Sequence, residues 1–515
     1  MRRPDLARIR AVTASDLRAR LRRPGAAALM AGAALAAVLL IPDPGPGRGL
    51  VQIDGARALY TSPTLALATA TLLALALSLF GFYVVSHALG GDAGARLGTV
   101  LAATPVSNLE YLAGKLLGSV ALLAGVSCGF LAASMAMQVV RGEGPLQPGA
   151  FAAHYAVLAG PCLVWVSMLA LLFECVPWLS GRLGDVLYLL VWACSIPLGL
   201  LGWKPGGPKL ARVLDVMGFG FMVSEVERIA GTRNFTIGFG PIESTRPPVV
   251  FPGLSFPLEA LGARAASLLA PLLLFPLALA LFRRFDPART RTAVGGRLQV
   301  PAEVTRIAGA LTRPLLGPLQ RLAPDVALTF RARPLVALAV PVIVVLSLSL
   351  PPLSVREGLL PVVFAFVSIA LADVATREAA SGTTAVVFAA PGRREGFAIW
   401  KLGSAAVAAL LLGGAPALRL LPAEPRSAVS ASIGLLLLAF SAVALGIATG
   451  TPKTFMAASL ALWYLGLNAR EAPALDYAGW WAKATPATQA GWLVAAISAA
   501  ALALGAHRLR LAREG

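Results

Sequence analysis

The chain has 515 residues, of which 57% are hydrophobic and only 13% are charged. Soluble domains carry about 25% charged residues, so this composition excludes an ordinary water-soluble protein and points to an integral membrane protein. The formal net charge of +19 does not argue for nucleic acid, because basic residues of membrane proteins gather in cytoplasmic loops and raise the net charge without any such role.

The first element is a basic segment. Leu6, Ile9, Leu17 and Leu21 fall along one helical face, with Arg3, Arg10, Arg18 and Arg20 among them. That is the pattern of an amphipathic helix on a membrane surface. An apolar run follows near 25–41, and "PDPGPG" comes after it instead of a small-residue cleavage site, so the run is expected to be a retained membrane helix.

A bilayer core of about 30 Å needs roughly 20 apolar residues in a helix. Runs of that kind lie near 25–41, 64–88, 112–138, 152–174, 185–202 and 261–282, and again near 334–350, 358–374, 397–417, 427–449, 453–467 and 487–506. The expected fold is an all-α polytopic membrane protein with about 12 transmembrane helices, six in each half. With both termini cytoplasmic, the inner segments hold 29 of the 44 Lys and Arg residues, and the outer segments hold 15, six of them in the single long loop 203–260. The positive-inside rule therefore favours cytoplasmic termini.

Residues 1–285 form the first half, 286–333 a basic linker and 334–515 the second half. Within the linker Ile307, Leu311, Leu315, Leu322 and Val326 recur every three or four residues, which predicts a second surface helix kinked by Pro314, Pro318 and Pro324. Each half thus begins with a basic surface helix and continues with six spans, a repeat of parallel topology. Outside, "ARVLDVMGF" (211–219) and "APALDYAGW" (472–480) both follow the fifth span. The long loop 203–260 is expected to hold one short helix and then irregular chain.

Cys128, Cys162, Cys175 and Cys194 lie in or beside apolar stretches and read as small buried hydrophobes. His87, His154 and His507 stand singly, so no metal site and no catalytic cluster is expected.

The segment "LAATPVSNLEYLAGKLLG" (101–118) places polar residues between two membrane runs. Ser107 and Glu110 have the spacing of a capping box, and Pro105 stands just ahead, so a helix should start at about Asn108. Lys115 lies two turns in, where it can snorkel to the cytoplasmic interface. A looser copy, "VFAAPGRREGFAIWKLG" (387–403), occupies the corresponding loop of the second half. The distance from Pro105 to Lys115 is repeated from Pro391 to Lys401.

The first copy resembles the signature of ABC-2 type permeases, the membrane subunits of one class of ATP-binding-cassette transporters. The residues that carry the resemblance are Arg96, Gly98, Thr99, Leu101, Ala102, Thr104, Pro105, Val106, Ser107, Glu110, Tyr111, Leu112, Gly114, Lys115, Leu116 and Leu117. Asn108 stands where that family usually has a basic residue. The second copy keeps Gly382, Thr383, Ala390, Pro391, Arg393, Arg394, Glu395, Trp400 and Lys401.

The resemblance implies an elbow helix and six spans per half, a coupling helix in this loop, and short re-entrant helices at "DVMGFGFMVSEVERIAG" and "DYAGWWAKA". It also implies export and a separate ABC ATPase subunit, a homodimer, that carries ATP and Mg. The chain has no G-x-x-x-x-G-K-[ST] loop, so it is not expected to hydrolyse ATP alone or to hold a cofactor. Thr104, Pro105, Ser107, Lys115, Pro391 and Lys401 would build the coupling elements. Arg96, Glu110, Arg393, Arg394 and Glu395 would supply polar docking contacts. The alternative is a secondary carrier of the major-facilitator kind. Ion-coupled carriers keep ionisable groups inside their spans, and these span centres are nearly free of them. The Ala-, Gly- and Arg-rich composition suits a bacterial inner membrane, in contact with lipid.

Overall fold

The computed structural model describes residues 5–22, 24–44, 49–86, 88–89, 92, 104–176, 179, 182–238, 246–282, 322–331, 334–390, 392–468, 470 and 472–514. The chain divides into two compact units, Met1–Gly296 and Arg297–Gly515, and the division falls inside the basic linker.

The first unit contains α1 (Leu6–Leu21), α2 (Pro24–Leu40), α3 (Ser62–Val85), α4 (Asn108–Arg141), α5 (Pro148–Cys175), α6 (Arg182–Trp203), α7 (Lys209–Val213), α8 (Phe219–Ala230) and α9 (Leu258–Leu281). The second contains α10 (Ala323–Arg331), α11 (Pro334–Ser349), α12 (Pro352–Leu371), α13 (Arg377–Ser381), α14 (Thr384–Phe388), α15 (Arg393–Leu420), α16 (Pro425–Thr449), α17 (Pro452–Asn468) and α18 (Pro486–Glu514). A helix lies at each of the twelve apolar runs. Among the described residues, eight helices are long and apolar enough to cross a membrane: α3, α4, α5, α9, α12, α15, α16 and α18. This is the make-up of an α-helical membrane protein.

Several starts are written locally. Pro24, Pro148, Pro334, Pro352, Pro425, Pro452 and Pro486 each stand as the first residue of a helix. There the missing N–H is one that would go unbonded anyway, and the fixed φ suits the first turn. In the first unit α3 is the most buried of the long helices, and in the second α16 is. The surfaces of α9 and α18 are mostly exposed. Apolar helices with bare faces are expected when lipid rather than water covers them.

The long loop after α6 departs from the expected single helix and irregular tail. It forms α7, α8 and a strand β3 (Phe235–Ile237), which pairs antiparallel with β1 (Val51–Ile53). On its other edge β1 pairs with β2 (Ala56–Arg57). The hairpin turns on Asp54 and Gly55, both with positive φ. Asp-Gly at a two-residue turn is the sequence signature of this hairpin type.

The two segments 211–219 and 472–480 singled out by the sequence share a device. Asp215 Oδ2 accepts Phe221 N–H at 2.9 Å at the start of α8, and Gly218 between them has φ 68°. Asp476 accepts Lys483 N–H at 2.9 Å and Trp481 N–H at 3.2 Å, with Gly479 at φ 72°. The second segment does not, however, form the expected re-entrant helix. Residues 472–485 are turns. The Asp476 carboxylate satisfies the N–H groups of Trp481, Lys483 and Ala484, which ties the chain into a knot of turns.

Two further expectations are corrected. Cys162 and Cys175 are buried, but Cys128 and Cys194 are exposed on α4 and α6; an apolar thiol is tolerated on a lipid-facing helix surface. On α1, Leu6 and Leu21 are exposed, and the one buried side chain is Asp16. The face of α1 turned to α4 runs through Ile9, Val12, Thr13 and Asp16. Of the predicted second surface helix, Ile307, Leu311 and Leu315 lie outside the described residues. Its end is α10, where Val326 and Asp325 are buried.

Candidate functional site

The start of α4 follows its sequence. Ser107 is the N-cap: its Oγ accepts Glu110 N–H at 3.2 Å, and Glu110 Oε2 accepts Ser107 N–H at 2.7 Å. The capping box is therefore complete. It also reaches further than a local cap. Glu110 Oε1 accepts the N–H of Asp5 at 2.8 Å, and Arg8 Nη1 donates to the Pro105 carbonyl at 2.7 Å. The start of α1 is thereby fastened to the start of α4.

Glu110 is 2% exposed and is not the solvated docking charge expected from the sequence. Both carboxylate oxygens are already committed within the chain, to Ser107 and Asp5.

Lys115 is corrected as well. Its ammonium does not snorkel outward; it is 2.7 Å from Asp16 Oδ1 of α1 and 2.7 Å from Asp92 Oδ2 of the loop after α3. The side chain is 6% exposed. Tyr111 donates its hydroxyl to the same Asp92 oxygen at 2.7 Å, and Arg20 Nε lies 2.8 Å from Asp16 Oδ2. Snorkelling fails because α1 covers the Lys115 side of α4. The covering helix comes very close: a Cβ added at Gly114 would meet Val12 at 2.6 Å, and one at Gly118 would meet Asp16 Oδ2 at 2.7 Å.

The second unit holds the same constellation in different residues. Lys401 is fully buried on α15, 2.9 Å from Asp325 Oδ1 of the surface helix α10 and 2.5 Å from Glu378 Oε1 of α13. Ser404 donates to Asp325 Oδ2 at 2.5 Å. Arg377, beside Glu378, donates to Thr329 Oγ1 at 2.9 Å and stands 3.5 Å from Asp325 Oδ1. The ammonium also lies over the rings of Trp400 and Phe397, at 4.5 and 5.5 Å from their centroids. Two acids and two bases close to net neutrality, which is what a buried cluster requires.

The remaining predicted site residues fall into separate places. Thr104 lies in the bend before the capping box and is engaged in an interaction of its own. Pro105 is exposed and serves through its carbonyl. Arg393 is half-buried, with its guanidinium 4.5 Å above the Trp400 ring. Arg394 and Glu395 are exposed, and the Arg394 carbonyl accepts from His507 Nε2 at 2.7 Å. Arg96 and Pro391 lie outside the described residues, as does most of the first loop.

Sequence reasoning missed Asp16, Asp92, Asp325, Glu378 and Arg377. One signal was available: Asp16 and Asp325 are among the few acids inside strongly basic segments. Among the described residues, no group of three or more His, Cys, Asp or Glu side chains could hold a metal ion. In both clusters the lysine and its two acids are ion-paired within the chain. No protein-family model, curated protein or solved structure matches the chain.

Proposed function

We propose that this chain is the membrane subunit of an ABC transporter of the ABC-2 permease kind. It would form the translocation pathway and be driven by a separate ATPase homodimer that binds ATP and Mg. The observation that carries the reading is the twin cluster: in each unit a Lys two turns into the helix after the loop binds one acid of a surface helix and one acid of that loop. A protein moved from outside by two docking loops needs those loops joined to its spans, once per half.

Three other features support the reading. The stretch 96–117 resembles the permease signature, the Asp-x-x-Gly turns at 215–218 and 476–479 have similar geometry, and the sequence carries twelve apolar runs, six in each half. On this reading the repeat is parallel, both termini are cytoplasmic, the membrane is a bacterial inner membrane and the direction is export. The exposed side chains of Arg394 and Glu395 are the docking contacts in the second loop. The chain itself hydrolyses nothing.

The test is affinity purification of the tagged chain from membranes that also express candidate ABC ATPases. An ATPase should co-purify with it, and Arg394→Glu/Glu395→Lys should abolish co-purification while membrane insertion persists. Recovery of the chain without any ATPase, together with uptake or efflux in its absence, would sink the proposal.

A further inference from the structure

In each unit a single ammonium joins three separate pieces of chain: the surface helix, the helix α4 or α15, and the loop leading into that helix. Resting on the permease reading, we propose that Lys115 and Lys401 are positioning residues of coupling. Each transmits displacement of its loop to the surface helix and the span together.

The argument is one of stiffness. An ammonium has three donors and can hold two carboxylates at once. Neither acid can leave without abandoning a buried charge, and that is costly. A loop held only by solvated contacts could slip past the spans. Here the acid of the loop and the acid of the surface helix share one atom.

The seat beneath is also tight. Val12 and Asp16 rest against Gly114 and Gly118 with no room for a Cβ, and a Cβ on Gly403 would meet Leu322 at 3.0 Å. Bodies packed this closely move as one, because interiors are dense and poorly compressible.

Each unit adds a second tie of its own design. In the first, Asp5 and Arg8 bind Glu110 and Pro105, so the surface helix grips the start of α4. In the second, Arg377 binds Thr329 and Asp325, so the loop grips the surface helix directly. Two unlike sets of residues reach the same linkage. A requirement for the linkage explains that better than a chance burial of two lysines.

The test uses the full chain in nanodiscs and three variants: Lys401→Met, Lys401→Arg, and the neutral set Lys401→Met/Asp325→Asn/Glu378→Gln. The first readout is the distance distribution between spin labels at Leu328→Cys on α10 and Val386→Cys on α14, with Cys128 and Cys194 replaced by serine. Leu328 and Val386 are both exposed. The second is stimulation of ATP hydrolysis by the co-purified ATPase.

The wild type should give a narrow distribution. Lys401→Met and the neutral set should broaden it and cut stimulation by roughly tenfold, with the ATPase still bound. Lys401→Arg should keep most of both. A neutral set that keeps wild-type thermal stability, the narrow distribution and full stimulation would overturn the proposal, because the cluster would then serve folding alone. If the wild type binds no ATPase, the permease reading fails, and the label distances alone decide whether Lys401 links loop to surface helix.

Discussion

The Lys401 ammonium lies 2.9 Å from Asp325 Oδ1 with both side chains wholly out of solvent, although 76 residues separate them in sequence. A buried ion pair is weak evidence for stability, but removing one partner is strongly destabilising because the other charge stays behind. In this cluster Glu378 shares the same ammonium, so removing Lys401 leaves two carboxylates with only Arg377 to balance them.

Lys401→Met should therefore lower unfolding stability by about 3–5 kcal/mol. Neutralising both acids in the same chain should recover most of that loss. Thermal unfolding of the purified variants checks both statements, and equal melting of Lys401→Met and wild type would refute the first.

Glu110 is committed to two backbone N–H groups from different helices, Ser107 and Asp5. Ser107→Ala removes only the local half of the cap and should cost about 1 kcal/mol. Glu110→Ala should cost more, since it removes bonds to two backbone donors at once, one of them the tie to Asp5. Amide exchange should show the difference: Ser107→Ala speeds exchange near the start of α4, whereas Glu110→Ala also speeds it at Asp5.

Gly118 faces Asp16 so closely that a methyl group would meet its Oδ2 at 2.7 Å. Gly118→Ala must push α1 off α4 or break the Lys115 pair. Gly129, further along the same helix, has open space around its missing side chain, so Gly129→Ala should be harmless. Limited proteolysis between α1 and α2 reports the detachment: fast cleavage for the first variant, wild-type rates for the second.

Arg57 holds Glu143 through two bonds, of 2.6 and 2.8 Å. The Arg57 bond, with help from Tyr60 N–H and against partial burial, lowers the Glu143 pKa below its ordinary 4.5. A depressed folded pKa contributes stability that is present above the unfolded value and lost as pH falls through the folded one. The melting difference between wild type and Glu143→Gln should thus be constant near neutrality, begin to shrink below pH 4.5 and go on shrinking as the pH falls further. A difference that grows in acid would contradict the assignment.

The helices were legible because hydropathy is a run-length signal and proline marks many of the starts. The capping box was legible because Ser107 and Glu110 are three residues apart. What joins these helices was not. Asp16 and Lys115 are 99 residues apart, and Asp325 and Lys401 are 76. Periodicity compares only neighbours within a turn or two, so Lys115 read as an interfacial anchor and Glu110 as a docking charge. The unequal spacings also hide the correspondence between the clusters from any fixed-offset repeat. The β1–β2 hairpin carried an Asp-Gly signal at 54–55, but strands of two and three residues offer no alternation to support it. The segment 472–485 defeated the expected re-entrant helix because the Asp476 carboxylate draws the N–H groups of Trp481, Lys483 and Ala484 into turns.

The central claim is that a separate ATPase drives this chain through the two loops. ATP hydrolysis by the co-purified ATPase, measured in proteoliposomes with and without the chain, tests it most directly. The account predicts several-fold stimulation by the wild-type chain, and loss of that stimulation in Arg394→Glu/Glu395→Lys. Hydrolysis that is indifferent to the chain, alongside transport that proceeds under a proton gradient with no ATPase present, would contradict it.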